Sequence, residues 1–190
     1  MVTEPEILVV ADAAAWRAWL DEHEHEPDGV WLLLAKKGVT EPTSLSYAQA
    51  LDEALCSGWI DGQSKSIDER TYRQRFTPRR ARSMWSARNV GHIARLAEEG
   101  RLRPRGLAEV ERARGDGRWD RAYAGSATIE TPADLRAALD AHPPAAEVFA
   151  GLNAQGRYAV LHRVVTAATD KTRAARIARL VAALQRGEAP

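Results

Sequence analysis

Residues 55–90 constrain the fold of this chain more than any other stretch, because they change from apolar to basic within a few positions. Residues 70–88 contain seven arginines and no acidic residue. Segment 71–77, TYRQRFT, places Tyr, Gln and Phe on one face and two arginines on the other. This period of two predicts a β-strand, and Pro78 is expected to end it because proline cannot donate to a neighbouring strand.

A second strand is predicted just before the arginine-rich segment. Gly58 is typical of the left-handed residue that ends a helix, and Trp59-Ile60 then reads as a short buried strand. Asp61-Gly62 is a dipeptide typical of turns, although it could also lie at a β-bulge. The sequence therefore predicts a hairpin around the GWIDG motif, with the turn or a bulge at Asp61-Gly62.

The first half of the chain also carries clear helix and strand signals. Asp12 is a predicted N-cap, and Ser46 with Gln49 forms the pattern of a capping box. The apolar run 30–34, VWLLL, predicts a central strand that is covered on both faces. Three tryptophans are expected in the core: Trp16, Trp31 and Trp59.

The second half of the chain shows mainly helical periodicity, with apolar residues recurring every three to four positions. The predicted fold class is therefore α+β. A small, mainly antiparallel sheet with flanking helices forms the N-terminal half, and a helical C-terminal half packs against it. We expect an α+β part at residues 1–82 and a helical part at residues 83–190, which together form one compact unit.

A candidate binding site follows from the arginine-rich segment. Arginine presents a planar fork of donors that fits carboxylate or phosphate groups. The end of the 71–77 strand, the turn at Pro78 and the start of the next helix would bring such donors together. Trp85 would close the resulting pocket. The residues predicted to bind the ligand are Asp61, Arg75, Arg79, Arg80, Ser83, Trp85, Ser86 and Asn89.

Plainer interpretations of the same residues remain open. A run of charge is usually a solvated face, and Ser83, Ser86 and Asn89 could simply cap and turn the chain. Asp61 is expected to form a structural pair with Arg75 or Arg79, with a general acid/base role as the alternative.

Catalytic and metal-binding motifs are not predicted. Cys56 is the single cysteine, and it lies near a helix end without a local histidine, so a packed structural role is expected. His23 and His25 alternate with acids and could bind a metal, but a solvated helix end is the preferred interpretation. No catalytic residue, metal or cofactor is therefore predicted.

The charge of the chain is nearly balanced overall but unevenly distributed. The formal net charge is +1, with 11 acids and three bases in residues 1–60 and the basic excess in the remainder. The N-terminus lacks the pattern of a signal peptide, and no apolar run is long enough to span a membrane. A single cysteine fits a reducing compartment. These features predict a cytoplasmic protein.

Several motifs together resemble one family. ALCSGWIDG (54–62), RFTPRRARSMWSARN (75–89), LAEEGRLRPRG (96–106) and VVTAATDKTRAARIARLVAAL (164–184) resemble the YdeI/OmpD-associated family, whose members are also called bacteriocin-protection proteins. The chain departs from the usual family pattern at Leu102 and at Thr169. The family name implies resistance to bacteriocins or other stress and association with an outer-membrane protein, without an established reaction.

Three classes of function follow. The favoured one is a non-catalytic, cytosolic protein of the stress- or bacteriocin-protection type that binds an anionic small ligand or an acidic partner through arginines and tryptophan. A nucleic-acid-binding protein is disfavoured by the near-zero net charge. An enzyme that uses Asp61 with nearby arginines is disfavoured by the incomplete catalytic set.

Overall fold

A computed structural model of the chain describes residues 6–24 and 26–188. The described residues contain four strands and eight helices. In chain order they are β1 (Ile7–Leu8), α1 (Ala13–Glu22), β2 (Val30–Ala35), α2 (Tyr47–Cys56), β3 (Trp59–Ser66), β4 (Thr71–Pro78), α3 (Ala87–Glu98), α4 (Pro104–Gly115), α5 (Ala133–Asp140), α6 (Pro143–Gly151), α7 (Ala154–Val165) and α8 (Asp170–Gln185). Within this part of the chain, no helix is both long and apolar enough to cross a membrane.

The chain forms two compact units. The sheet unit comprises the described residues up to Ser83 together with Asn89–Gly117, and the helical unit comprises Met84–Arg88 and the described residues from Arg118 onward. This division differs from the boundary at residues 82 and 83 expected from the sequence, because α4 and most of α3 belong to the sheet unit.

The sheet of the first unit has the strand order β1-β2-β4-β3. β1 runs parallel to β2, and the other two pairs are antiparallel. The predicted α+β class is therefore confirmed, with a mainly antiparallel sheet in the N-terminal half and helices in the C-terminal half. The predicted helix signals are confirmed as well, since Asp12 caps α1 and Ser46 with Gln49 forms a capping box at α2.

The position of the hairpin turn differs from the preferred prediction. β3 continues through Asp61-Gly62 to Ser66, and the register shifts between Asp61 and Ser64. Of the two interpretations of Asp61-Gly62, the bulge is therefore right and the turn is wrong. The chain turns instead at Asp68, whose carboxylate accepts hydrogen bonds from the backbone N–H groups of Arg70 (2.8 Å) and Thr71 (2.7 Å). These bonds hold the pKa of the Asp68 carboxyl below its usual range.

The core of the sheet unit lies on the sheet face that carries Leu32, Leu34 and Phe76. All three are fully buried, as alternation along the paired strands requires. Trp16 and Trp59 are also fully buried, with their ring centroids 6.4 Å apart in an edge-on arrangement.

Trp31 was predicted to be a core residue, and this prediction is wrong. It is only half-buried, because it lies on the opposite face of β2 from Leu32 and Leu34. The guanidinium carbons of Arg73 and Arg75 lie 5.0 Å and 5.9 Å from the centroid of its ring. The apolar run of β2 concealed this difference, since a continuous run does not show which face is covered by other elements.

The helical unit has a core of its own, formed by α5, α6, α7 and α8. Its fully buried members include Leu135, Ala145, Val160 and Leu184. The helical periodicity predicted for the second half of the chain is confirmed in α8, whose four large apolar residues are all buried: Ile177, Leu180, Val181 and Leu184.

The two kinds of tryptophan environment predict different mutational costs. Trp59→Ala should lower the free energy of unfolding by about 3–5 kcal/mol, the range for removing a fully buried large aromatic side chain. Trp31→Ala should cost clearly less, because solvent and arginine side chains already surround much of its ring. Urea titration of both variants measures the difference. Equal losses would show that Trp31 contributes to the core as the sequence suggested.

Two glycines in α4 offer a matched test of close helix packing. A Cβ atom added to Gly106 would overlap the carbonyl oxygen of Cys56 and lie 2.9 Å from its carbonyl carbon. A Cβ atom added to Gly115 would have no neighbour within 4 Å. α4 therefore approaches the end of α2 so closely at Gly106 that no side chain fits there, whereas Gly115 has room for one.

We expect Gly106→Ala to destabilise the protein by about 1–3 kcal/mol, the usual cost of forcing extra atoms into a packed contact. Gly115→Ala serves as the control and should change stability by no more than about 1 kcal/mol, since alanine favours helix. Thermal unfolding of both variants measures this. A neutral Gly106→Ala would contradict the close approach of the two helices.

Candidate functional site

The eight residues predicted to bind a ligand are divided between the two units. Trp85 and Ser86 belong to the helical unit. The others belong to the sheet unit: Asp61, Arg75, Arg79, Arg80, Ser83 and Asn89. A pocket made by all eight residues stays a prediction.

Asp61 has a partner that the sequence did not suggest. Its Oδ2 accepts a hydrogen bond of 2.7 Å from the hydroxyl of Tyr47 at the start of α2. Asp61 pairs with Phe76 across β3 and β4, so it lies on the helix-covered face, whereas Arg75 lies on the other face of β4. The expected pairing of Asp61 with Arg75 is therefore wrong, because the two side chains point to opposite faces of the sheet, and the alternative pairing with Arg79 stays a prediction.

Arg75 combines with a different aromatic residue from the one predicted. Its Nη2 donates to the backbone carbonyl of Asp28, and its guanidinium lies over Trp31. Arg75 and Trp31 line a cleft of about 420 Å³ whose wall also includes Trp19 and Glu26. An arginine–tryptophan contact thus exists in the sheet unit, but its tryptophan is Trp31 rather than Trp85. The cleft beside this contact is also lined by acidic residues, including Glu26 and Asp28.

The chain turns sharply after β4. The backbone N–H of Arg79 donates to the carbonyl of Gly58 (3.0 Å), and the Arg79 side chain is buried. The Arg80 N–H then donates to the Ser83 hydroxyl, and the Ser83 N–H donates back to the Arg80 carbonyl, each at 2.9 Å. Ser83 therefore fixes the shape of this turn, which we call the Arg80–Ser83 turn.

Two arginines of this turn are open to solvent. The side chains of Arg80 and Arg82 are exposed. Within the described part of the chain, neither guanidinium takes part in a hydrogen bond or ion pair. Because the preceding and following residues from 70 to 88 contain no acid, these charges are not neutralised by their sequence neighbours.

Trp85 does not present an open ring. Its side chain is only 1% exposed, and its ring centroid lies 4.9 Å from that of Trp119. Next to it, Ser86 forms a β-bridge with Tyr123. Asn89 is buried on α3. The predicted stacking of a ligand on Trp85 therefore lacks the exposed face that it requires.

Sequence reasoning missed a buried ionic cluster around Glu53. Its two carboxylate oxygens accept hydrogen bonds of 2.6 Å from Arg101 and from Arg103. Arg103 also donates to the Glu53 backbone carbonyl (3.2 Å) and pairs with Asp21 (3.2 Å). The available signal was an acid beside the apolar stripe of α2, but nothing local identified its partners about fifty residues away.

Cys56 lies beside this cluster and is fully buried. Burial, and next the charge of Glu53, raise the pKa of the thiol to about 11. Since the thiolate is the nucleophilic form, this environment opposes nucleophilic catalysis and agrees with the structural role expected from the sequence.

The histidine-rich segment was the alternative metal site. The ring of His23 stacks on Trp19 with centroids 4.2 Å apart, and its Nδ1 lies 2.9 Å from the Trp19 carbonyl oxygen. His25 lies outside the described residues. Among the residues that are described, no group of three or more His, Cys, Asp or Glu side chains could hold a metal ion.

The Cys56 environment predicts slow thiol chemistry. At pH 8 the folded protein should react with iodoacetamide about a hundredfold more slowly than the chain in denaturant, because the raised pKa leaves little thiolate. Mass spectrometry over time measures the alkylated fraction. Equal rates for folded and unfolded protein would contradict a buried, high-pKa thiol.

Two family models match this chain. Residues 8–109 match a model described as a domain of unknown function, DUF8412, which covers more than half of the 190 residues. Residues 128–187 match a model described as "Bacteriocin-protection, YdeI or OmpD-Associated". No curated protein and no solved structure matches the chain.

The family suggested by the sequence motifs is therefore confirmed over the C-terminal segment, where the 164–184 motif lies. The motifs at 54–62 and 75–89 fall within the other match. This chain thus belongs to the family of the domain of unknown function DUF8412, and its residues 128–187 match the bacteriocin-protection family.

Proposed function

We propose that this chain is a non-catalytic, cytoplasmic protein of the bacteriocin-protection type, which acts by binding a carboxylate-rich partner through the Arg80–Ser83 turn. The observation that carries the proposal is the pair of exposed guanidinium groups of Arg80 and Arg82, which are without partners among the described residues. The match of residues 128–187 supports the protective role.

The turn suits this role because its backbone is already ordered. The reciprocal hydrogen bonds of Arg80 and Ser83 fix the loop, so less conformational freedom is lost when a partner binds. Each guanidinium can form two parallel hydrogen bonds with a carboxylate. A single exposed ion pair contributes only about 0.2–1 kcal/mol, so the partner must present several acidic groups at once.

An acidic protein surface fits these requirements better than a compact small anion. Trp85 is buried and Arg75 bonds to Asp28, so neither contributes an open wall beside the turn. The family description includes association with OmpD, which supports a protein as the partner. In this proposal Arg80 and Arg82 make the contacts, Ser83 orders the turn, and Arg79 and Asn89 are buried supports.

The proposal is tested with a fluorescein-labelled polyglutamate peptide and with citrate as the small-anion comparison. Fluorescence anisotropy should show saturable peptide binding that weakens with salt. Arg80→Ala/Arg82→Ala should weaken it by about tenfold or more, the effect of losing charge-assisted hydrogen bonds. The matched control is Lys37→Ala/Lys65→Ala, which removes two exposed charges from the same unit and should retain binding.

Expression in a bacteriocin-sensitive bacterium supplies a second readout, with survival expected for the natural chain and for the lysine variant but not for the arginine variant. Equal peptide binding by both double variants would overturn the proposal. Citrate that displaces the peptide at low concentration would assign the turn to a small anion instead. Submicromolar binding of oligonucleotides with a steep salt dependence would favour the nucleic-acid class.

A further inference from the structure

We propose that the helical unit contains a separate anion site, formed by Arg163, Arg176 and Arg179, that binds a phosphate monoester group. The site lies in a pocket of about 610 Å³ on α7 and α8. The residues lining it are Arg163, Thr166, Arg176, Arg179, Leu180, Ala183 and Glu188. It is independent of the Arg80–Ser83 turn, which belongs to the sheet unit.

Arg176 is held in place by the end of α7. Its Nη1 donates to the carbonyl oxygen of Arg163 (2.6 Å) and to the hydroxyl of Thr166 (3.4 Å). Both hydrogens of Nη1 are thereby used, and no other hydrogen bond of this side chain occurs among the described residues. The donors on Nη2 and Nε remain for a ligand, on a half-buried side chain that is already ordered.

Arg163 and Arg179 supply two further guanidinium groups to the same pocket. Both side chains are exposed. The Nε of Arg179 donates to the carbonyl of Ala175 (3.3 Å), and the Arg163 guanidinium makes no hydrogen bond or ion pair within the described residues. Three like charges around one pocket repel each other, and a bound anion would relieve this repulsion.

Glu188 also lines this pocket, but its carboxylate pairs with Arg186 and not with the three pocket arginines. Glu188 accepts two hydrogen bonds of 2.8 Å from Arg186, one at each oxygen. That pairing holds the pKa of the Glu188 carboxyl below its usual range. The pocket therefore keeps an excess of positive charge. Burial, and next the charge of Arg176, lower the pKa of nearby His162.

A phosphate monoester suits this arrangement for two reasons. Its three oxygens and its charge of up to −2 can accept from several arginine forks at once. Leu180 and Ala183 also line the pocket, so an apolar group attached to the phosphate gains contact there. A solvated face of an arginine-rich helix would have neither a fixed half-buried arginine nor an apolar wall beside it.

The test observes the arginine Nε–Hε signals by NMR during titration with inorganic phosphate and with phenyl phosphate. Signals of Arg163, Arg176 and Arg179 should shift saturably, and more tightly with phenyl phosphate. Arg163→Ala/Arg179→Ala should weaken the apparent affinity by about tenfold or more. Arg163→Lys/Arg179→Lys retains the charge without the fork and should show an intermediate loss. Arg136→Ala, an exposed arginine outside the pocket, is the control and should bind normally.

Sedimentation with phosphatidic acid or phosphatidylcholine vesicles separates the sources of the phosphate group. Binding of phosphatidic acid vesicles that phenyl phosphate displaces assigns the site to a lipid headgroup, whereas binding of phenyl phosphate alone assigns it to a soluble ester. Shifts that grow linearly and equally at Arg136 and at the three pocket arginines would overturn the proposal. Retained affinity in Arg163→Ala/Arg179→Ala would overturn it as well.

Discussion

The sheet unit depends on the buried carboxylate of Glu53, which is compensated by Arg101 and Arg103. A buried charge is stable only when it is paired and hydrogen-bonded, and here both carboxylate oxygens have a guanidinium partner at 2.6 Å. Arg103 also bonds to the end of α2 through the Glu53 carbonyl. This fixes the segment before α4 and brings Gly106 against Cys56. Burial, and next the charge of Glu53, raise the pKa of the neighbouring Cys56 thiol, which makes it unsuited to nucleophilic catalysis.

Arginine is abundant in this chain, but its side chains fall into classes that differ in what they can bind. Arg101 and Arg103 neutralise buried acid, and Arg73 packs over Trp31. Arg80, Arg82, Arg163 and Arg179 are exposed, and within the described residues their guanidinium groups form no ion pair. Recognition of an external anion needs donors that are not already committed, such as those of these four side chains and the Nη2 and Nε groups of Arg176.

Features set by local physical chemistry were predicted well. The caps at Asp12 and Ser46 follow from side chains that bond the first turn of their own helix, and the two faces of β4 follow from strand alternation. Gly58 has a positive φ of 73°, as the glycine at a helix end predicts. The site was predicted less well. Trp85 is buried, and Arg75 lies on the opposite face of the sheet from Asp61.

The sequence by itself determined the α+β class, the helix ends, the alternation of β4 and the family motifs, because each depends on residues only a few positions apart. Only the tertiary structure decided that Tyr47 bonds Asp61, that Trp31 lies under arginines, and that Glu53 meets Arg103. It alone brought Arg163 of α7 and Arg179 of α8 to one pocket. Such pairings depend on strand register and helix packing, which place together residues that are distant in the chain and carry no mutual signal in a single sequence.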